Sequence, residues 1–126
     1  MSAFTKLFKR LGDCRTPIKV LSASGQLGYG IPEKSLAAGL ARDPDFVGCD
    51  MGSIDPGPAD LGSGQMATSP MVTRRDLRLV LLGTVPKGIP LIIGTAGTAG
   101  ASPHLDETVR MVREIAQEEG LKFRLA

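Results

Sequence analysis

From Pro17 onward, short apolar runs alternate with segments of helical periodicity. PIKVLS, DFVGCD and GIPLIIGTA have the composition of strands, and LKFRLA resembles the start of one more. IPEKSLAAGLAR, MVTRRDLRLVLLGTV and SPHLDETVRMVREIAQEEG place apolar side chains at helical spacing. Strands that alternate with helices form parallel sheets through right-handed crossovers. The pattern predicts an α/β domain over residues 17–126, Rossmann-like and three-layered, with about four parallel strands and helices on both faces.

The pattern also predicts how the strands are covered and that the sheet is incomplete. GIPLIIGTA is apolar without alternation, which is typical of a parallel strand covered on both faces. The last run, LKFRLA, is itself strand-like, so its edge would be open. We therefore expect an oligomer, or a sheet completed by another subunit or by the remainder of a longer chain.

Residues 1–16 form a separate N-terminal segment. Phe4, Leu7, Phe8 and Leu11 recur at helical spacing with basic residues between them. This segment is either a docked helix or a frayed terminus, and the alternative is a helix for a membrane surface or for targeting.

Composition narrows the function classes. The chain has 126 residues, 42% hydrophobic and 22% charged, which suits one globular domain. A net charge of +2, 4% aromatic residues and no tryptophan argue against nucleic-acid binding. No apolar run approaches the ~20 residues of a membrane span, and residues 1–16 lack the apolar core that is typical of a secretion signal. Cys14 and Cys49 are too far apart to indicate a zinc site or a disulfide framework. A cytoplasmic protein is expected.

Three unusual loops follow the first three predicted strands: Ser22–Gly30, Asp50–Gly64 and Gly94–Ser102. The carboxyl ends of parallel strands meet at one edge of the sheet, which is where ligands bind in open α/β sheets. We therefore expect the three loops to form one candidate site, here called the rim.

The first loop, SASGQLGYG, is either a cradle for an anion or a tight turn. Its glycines let the backbone approach a carboxylate, phosphate or thioester before a helix N-terminus. Their spacing differs from the dinucleotide fingerprint G-x-G-x-x-G, which disfavours a nicotinamide cofactor. In the turn alternative, Gln26 and Tyr29 point to solvent. The candidate binding residues are Ser24, Gly25, Gln26, Gly28, Tyr29 and Gly30.

The second loop supplies carboxylates. Asp50 ends a strand and is a candidate for acid–base chemistry, whereas Asp55, before Pro-Gly, suits a turn. The two carboxylates are also the one possible Mg²⁺ site, and Ser53 lies between them. Cys49 alternates with Asp50 along the strand, so a core position is expected for its thiol.

The third loop, GTAGTAGASPH, supplies hydroxyl groups from Thr95 and Thr98 and backbone donors around Gly97 and Gly100. His104, the single histidine, is expected in the first turn of the next helix, where a neutral imidazole can accept a proton. We take Asp50 and His104 as the candidate acid and base.

Three motifs, LSASGQLGYGIPEKS, GCDMGSIDPGPADLGSGQ and IPLIIGTAGTAGASPHLDETVRMVREIAQEEGL, resemble the N-terminal part of the acyclic terpene utilisation AtuA family over residues 17–126. Members of that family are several times longer. Two segments depart from its pattern: GASPH lacks a second glycine and an aspartate before the histidine, and SPMVTRRDLRL stands where members tend to have SREATKRDLRL.

The resemblance implies breakdown of acyclic terpenes or organic acids, with intermediates carried as coenzyme A thioesters. The resulting expectation is a catabolic enzyme, or its catalytic portion, that acts on a carboxylate or acyl thioester by hydration, elimination or isomerisation. The alternative is a non-catalytic subunit that binds a ligand or completes the sheet of a partner chain. A mononucleotide-binding module is a third, weaker hypothesis.

Overall fold

The computed structural model describes residues 3–13, 15–23, 25–53 and 57–126. Within these ranges the chain forms three strands and five α-helices, and a 3-10 turn at Val85–Lys87. In chain order the elements are α1 Ala3–Leu11, β1 Val20–Ser22, α2 Glu33–Leu40, β2 Phe46–Gly52, α3 Pro58–Ser63, α4 Pro70–Thr84, β3 Leu91–Thr98 and α5 His104–Glu118. The protein is an α/β protein, as the alternation of patterns predicts.

The three strands form one parallel sheet in the order β1-β2-β3. Val20 pairs with Phe46 at one side of β2, and Val47 pairs with Leu91 at the other. The three loops that follow these strands therefore leave the same edge of the sheet, as the parallel topology predicts. That they form one binding site stays a prediction.

One face of the sheet carries the core. Along β2, Val47, Cys49 and Met51 are buried, and they pack with buried residues of α2, α4 and α5. Leu36 and Leu40 on α2 lie at i and i+4, so one side of this short helix contacts the sheet. Gly39 lets α2 approach closely, because a Cβ there would lie 2.6 Å from the Leu21 side chain.

The opposite face of the sheet is open. Val20 and Ile92 are 58% and 46% exposed, and Phe46 is half-buried. The prediction of helices on both faces is therefore not confirmed for the described residues, which form two layers. The run GIPLIIGTA is apolar on both sides of its strand, but the described helices cover only one side.

The prediction of a fourth strand is not confirmed either. Gly120 adopts a positive φ of 64° after α5, and the N–H of Leu121 donates to the Ala116 carbonyl, which ends the helix. Residues 121–126 then form neither helix nor strand, with Phe123 and Leu125 exposed. An apolar run forms a strand only where the edge of a sheet is close enough to pair with it.

The N-terminal segment contains a helix, α1. Leu7 is buried, and the Arg10 guanidinium forms a 2.9 Å ion pair with Asp45 and donates to the Pro17 carbonyl. Leu7 and Arg10 also border an open depression of about 580 Å³ at the base of the sheet, together with Pro44 and Ile89. The helix is thus held against the amino-terminal ends of the strands, at the opposite end of the sheet from the rim.

Candidate functional site

Hydrogen bonds connect the loops of the rim. The N–H of Leu27, in the first loop, donates to the carbonyl of Asp50 over 2.8 Å. The N–H of Ala67, in the segment after α3, donates to the hydroxyl of Thr98 over 3.0 Å. The first and second loops are therefore in direct contact, and the third loop contacts the segment that follows the second.

The first loop encloses an anion, but this anion belongs to the chain itself. The carboxylate of Asp76, on α4, is fully buried. Its Oδ2 accepts hydrogen bonds from the N–H groups of Gly28 and Gly30 at 3.0 and 2.9 Å, and its Oδ1 accepts from Ile31 at 2.9 Å. The amides of Gly28 and Gly30, which the spacing predicts for a ligand, are thus occupied by this carboxylate.

Arg75 completes the environment of Asp76. Its guanidinium donates to the Asp76 carboxylate over 2.9 Å, to the Ile31 carbonyl, and to Glu33 on α2. The positive charge of Arg75 and the three backbone N–H donors stabilise the Asp76 carboxylate, which would otherwise be costly to bury. The first loop is therefore fixed between α2 and α4 by a polar network that is buried at Asp76 and exposed at Glu33.

Gly28 is required by close packing as well as by conformation. Its φ is +98°, and an added Cβ would lie 2.8 Å from side-chain atoms of Thr68 and Thr73. The hydroxyls of these threonines are themselves hydrogen-bonded at 2.8 Å in the interior. Gly30 has a similar φ of +96° but open space around it. Of the two glycines, Gly28 is thus the one that a side chain would displace.

Sequence reasoning missed Asp76. The signal was present, because Asp76 lies at i+3 from Thr73 and at i−4 from Val80, on the buried side of α4. A carboxylate on an apolar helix face indicates a buried polar partner. The neighbouring Arg74 and Arg78, by contrast, form ion pairs with Glu114 and Glu118 on α5, so they join the two helices.

Asp50 presents a carboxylate at the rim. Its side chain is exposed, on the open side of β2, and its Oδ1 accepts hydrogen bonds from the N–H groups of Met51 and Gly52 at 2.7 and 3.1 Å. These bonds hold one carboxylate oxygen at the end of the strand. The orientation that leaves Asp50 exposed and its neighbour Cys49 buried is the one that the alternation predicts.

Beside Asp50, β3 departs from regular pairing. Asp50 pairs with Gly94, but Gly52 pairs with Thr98, so three residues of β3 bulge against one of β2. Thr95 and Thr98 have φ values of 51° and 116°, which are rare for β-branched residues. Strained residues and bulges concentrate next to functional sites, where they redirect side chains.

The bulge packs tightly on the end of β2. A Cβ at Gly52 would lie 2.5 Å from the Thr95 methyl group, and one at Gly100 would lie 3.4 Å from the Thr95 Cα. Gly97, with a φ of +78°, lies against the His104 carbonyl. The exposed Thr95 side chain and the Asp50 carboxylate are therefore both positioned by contacts to Gly52.

His104 is buried instead of facing the rim. It begins α5, is fully buried, and its Nε2 lies 3.0 Å from the carbonyl oxygen of Asp60 on α3. A carbonyl oxygen only accepts, so Nε2 carries the hydrogen and donates. Nδ1 is buried and has no hydrogen-bond partner among the described residues. His104 thus connects α3 to the start of α5.

Asp50 and His104 lie on opposite sides of the sheet. Met51, which alternates with Asp50, is on the covered face, where its Sδ accepts from the hydroxyl of Thr108 on α5. His104 belongs to that same helix, whereas Asp50 is on the open face. Among the described residues, no hydrogen bond joins the two side chains. The arrangement therefore separates the predicted acid and base.

The remaining candidates are dispersed along the rim. Gly25 and Tyr29 are exposed, Gln26 and Ser53 are half-buried, and the Thr98 hydroxyl is buried against the Ala67 amide. Ser24 and Asp55 lie outside the described residues. The predicted Mg²⁺ site of Asp50 and Asp55 therefore stays a prediction, and within the described ranges no cluster of three or more metal-binding side chains occurs.

Cys49 has the properties of a core residue. It is 6% exposed, and burial raises the pKa of its thiol from 9.0 to about 11. A thiol that resists ionisation is a poor nucleophile. The expected core position is confirmed.

Neither of two open depressions in the surface, of about 400 and 580 Å³, is lined by a candidate residue of the rim. No helix in the described part of the chain has the length and apolar character needed to cross a bilayer.

No family model, curated protein or solved structure matches this chain. The fold therefore defines an α/β protein with a parallel sheet, and the AtuA resemblance stays a prediction based on the three motifs.

Proposed function

We propose that the protein is an α/β enzyme, or the catalytic portion of one, that acts on a carboxylate or acyl thioester by acid–base chemistry at the rim. The observation that carries the proposal is the exposed Asp50 carboxylate beside the bulge of β3, where Thr95 and Thr98 hold strained backbone. Backbone strain of this kind persists only where contacts from the surrounding structure hold the residues in that conformation.

In this proposal Asp50 is the catalytic base. Its Oδ1 is held by two backbone N–H groups, and Oδ2 removes a proton from the carbon next to the substrate carbonyl. The Thr95 hydroxyl and backbone N–H groups of residues 97–100 are assigned to the developing oxyanion. His104 becomes a positioning residue, because it holds α3 against α5 on the other side of the sheet.

The test has a binding arm and a chemical arm. Coenzyme A thioesters, short carboxylic acids and nucleotides are compared by thermal shift, where a ligand at a hundred times its dissociation constant stabilises by about 2.7 kcal/mol. Ligands that stabilise the protein are then incubated with it in D₂O, and deuterium entry next to the carbonyl is followed by NMR.

We expect wild-type protein to catalyse this exchange, and Asp50→Asn to reduce it at least about a hundredfold with unchanged melting. Asp106→Asn, an exposed carboxylate on α5, is the matched control. Stabilisation by nucleotides alone, or equal exchange by Asp50→Asn, would overturn the proposal.

A second candidate function is a subunit role, and the open sheet face favours it. Val20, Phe46 and Ile92 present apolar surface there, with Asp50 as the one charged side chain that the strands direct to this face. Parallel sheets are ordinarily covered on both sides. A second copy of the chain, stacked face to face, would supply the third layer for both copies.

The oligomeric state tests this second candidate. Light scattering after size exclusion should give a dimer for the wild type and a monomer for Ile92→Glu. Leu82→Glu introduces the same charge at a similarly exposed leucine of α4 and should stay dimeric. A wild-type monomer at every concentration examined would exclude the self-association.

A further inference from the structure

Helix α1 carries an exposed apolar ridge, formed by Phe4, Phe8 and Leu11. Their side chains are 43%, 68% and 49% exposed. Because they lie at positions i, i+4 and i+7, they share one side of the helix. The chain has four phenylalanines, and two of them are exposed on this short helix. Together they form a large apolar surface.

The ridge is not what docks α1 onto the protein. Docking uses the buried Leu7 side chain and the ion pair between Arg10 and Asp45. The side chains of the ridge therefore stay exposed when α1 is docked. A further partner can cover them without displacing the helix.

The N-terminal segment that carries the ridge is rich in basic residues, of which Arg10 is paired with Asp45. Residues 3–19 contain five of the fifteen basic residues and one of the thirteen acidic residues, so the segment carries +4 while the rest of the chain carries −2. Lys6 and Lys9 are exposed on α1, and the one acidic residue, Asp13, accepts a hydrogen bond from Arg15 at 3.2 Å. The partner that complements this segment is anionic.

We propose that α1 binds an anionic lipid surface, with the ridge in the headgroup region and Lys6 and Lys9 on the opposite, polar side of the helix, within electrostatic range of the lipid phosphates. Interfacial amphipathic helices bind membranes by inserting apolar side chains and by electrostatic attraction to anionic lipids. Self-association through the ridge is disfavoured, because each copy would bring an N-terminal segment of charge +4 to the contact. The binding is peripheral and independent of the chemistry proposed at the rim.

The absence of tryptophan from the sequence allows a site-specific probe. Phe8→Trp places a single indole on the ridge, and Leu125→Trp places one at an exposed site of similar character far along the chain. On addition of vesicles of equal parts phosphatidylcholine and phosphatidylserine, we expect a blue shift of emission for Phe8→Trp and none for Leu125→Trp. Vesicles of phosphatidylcholine alone should produce little shift.

A second experiment separates charge from apolar insertion. In vesicle co-sedimentation, Lys6→Gln with Lys9→Gln should weaken binding about thirtyfold, since each basic residue near an anionic surface contributes roughly fivefold. Lys122→Gln with Arg124→Gln removes the same charge from the exposed C-terminal segment and should leave binding unchanged. Phe8→Ser should abolish binding with an unchanged circular dichroism spectrum.

Several outcomes would overturn the proposal. These are equal binding to neutral and anionic vesicles, equal weakening by the two charge pairs, or a ridge-dependent dimer in solution that does not bind vesicles. Ile92→Glu and Asp50→Asn should bind vesicles as the wild type does. The vesicle-binding result can therefore be interpreted even if either function proposed above is wrong.

Discussion

The buried carboxylate of Asp76 accepts a 3.0 Å hydrogen bond from the backbone N–H of Gly28, 48 residues earlier in the chain. With the bonds from Gly30 and Ile31, this contact makes the first glycine-rich loop part of the folded core instead of a free cradle. The ligand site that we propose at the rim therefore centres on the ends of β2 and β3.

The first prediction concerns Asp76. Asp76→Ala removes the acceptor of three N–H groups, leaves those of Gly28 and Ile31 buried without this partner, and removes one acceptor of Arg75. We expect the free energy of unfolding to fall by about 3–5 kcal/mol in urea titrations. Asp106→Asn, at an exposed carboxylate, should change it by less than about 0.5 kcal/mol. Equal stability of Asp76→Ala and wild type would show that the loop has another support.

The second prediction uses three glycines of the same loop. Gly30→Ala introduces a side chain at positive φ in open space, and we expect a loss of about 1–2 kcal/mol. Gly28→Ala adds contact with Thr68 and Thr73, so its loss should be larger, about 3 kcal/mol or more. Gly25→Ala, with open space and no positive φ, should be nearly neutral. A reversed order in thermal unfolding would contradict this account of the loop.

The third prediction tests His104 as a positioning residue. His104→Ala removes the hydrogen bond to Asp60 and leaves a cavity, so stability should fall by about 2–4 kcal/mol. Hydrogen exchange should rise specifically in residues 57–64. His104→Gln retains an N–H donor and should restore part of the protection. If exchange in 57–64 is the same in all three proteins, His104 does not hold α3.

The fourth prediction concerns the thiol of Cys49, measured in a Cys14→Ser background so that it is the single thiol. Burial raises its pKa from 9.0 to about 11, so the unfolded chain loses this proton first as pH rises. The contribution of Cys49 to stability should be complete below pH 9 and decline between pH 9 and 11. Cys49→Ala should lack this decline, and native Cys49 should resist alkylation at pH 8 until the protein is unfolded. Rapid labelling of the native protein would contradict the burial.

Much of the fold was predictable because periodicity is a local property. The strands around Leu21, Val47 and Ile93 and the helices around Leu36, Leu77 and Ile115 lie where the apolar spacing predicts them. The side-chain alternation also places Cys49 inside and Asp50 outside, since neighbouring residues of a strand point to opposite faces. The predicted fourth strand and second helical layer are not confirmed in the described residues, because apolar spacing does not state which surface an apolar segment will meet.

The rim itself follows from topology, but the roles of its residues do not. Sequence alone placed three glycine-rich loops at one edge of a parallel sheet, and it identified Asp50 as an exposed carboxylate at a strand end. Only the tertiary structure decided that the amides of Gly28 and Gly30 bind Asp76 and that His104 is buried against Asp60. The physical reason is that spacing along the chain records which way a side chain points within its own element. The partner of a buried hydrogen-bonding group is chosen by packing between elements far apart in sequence.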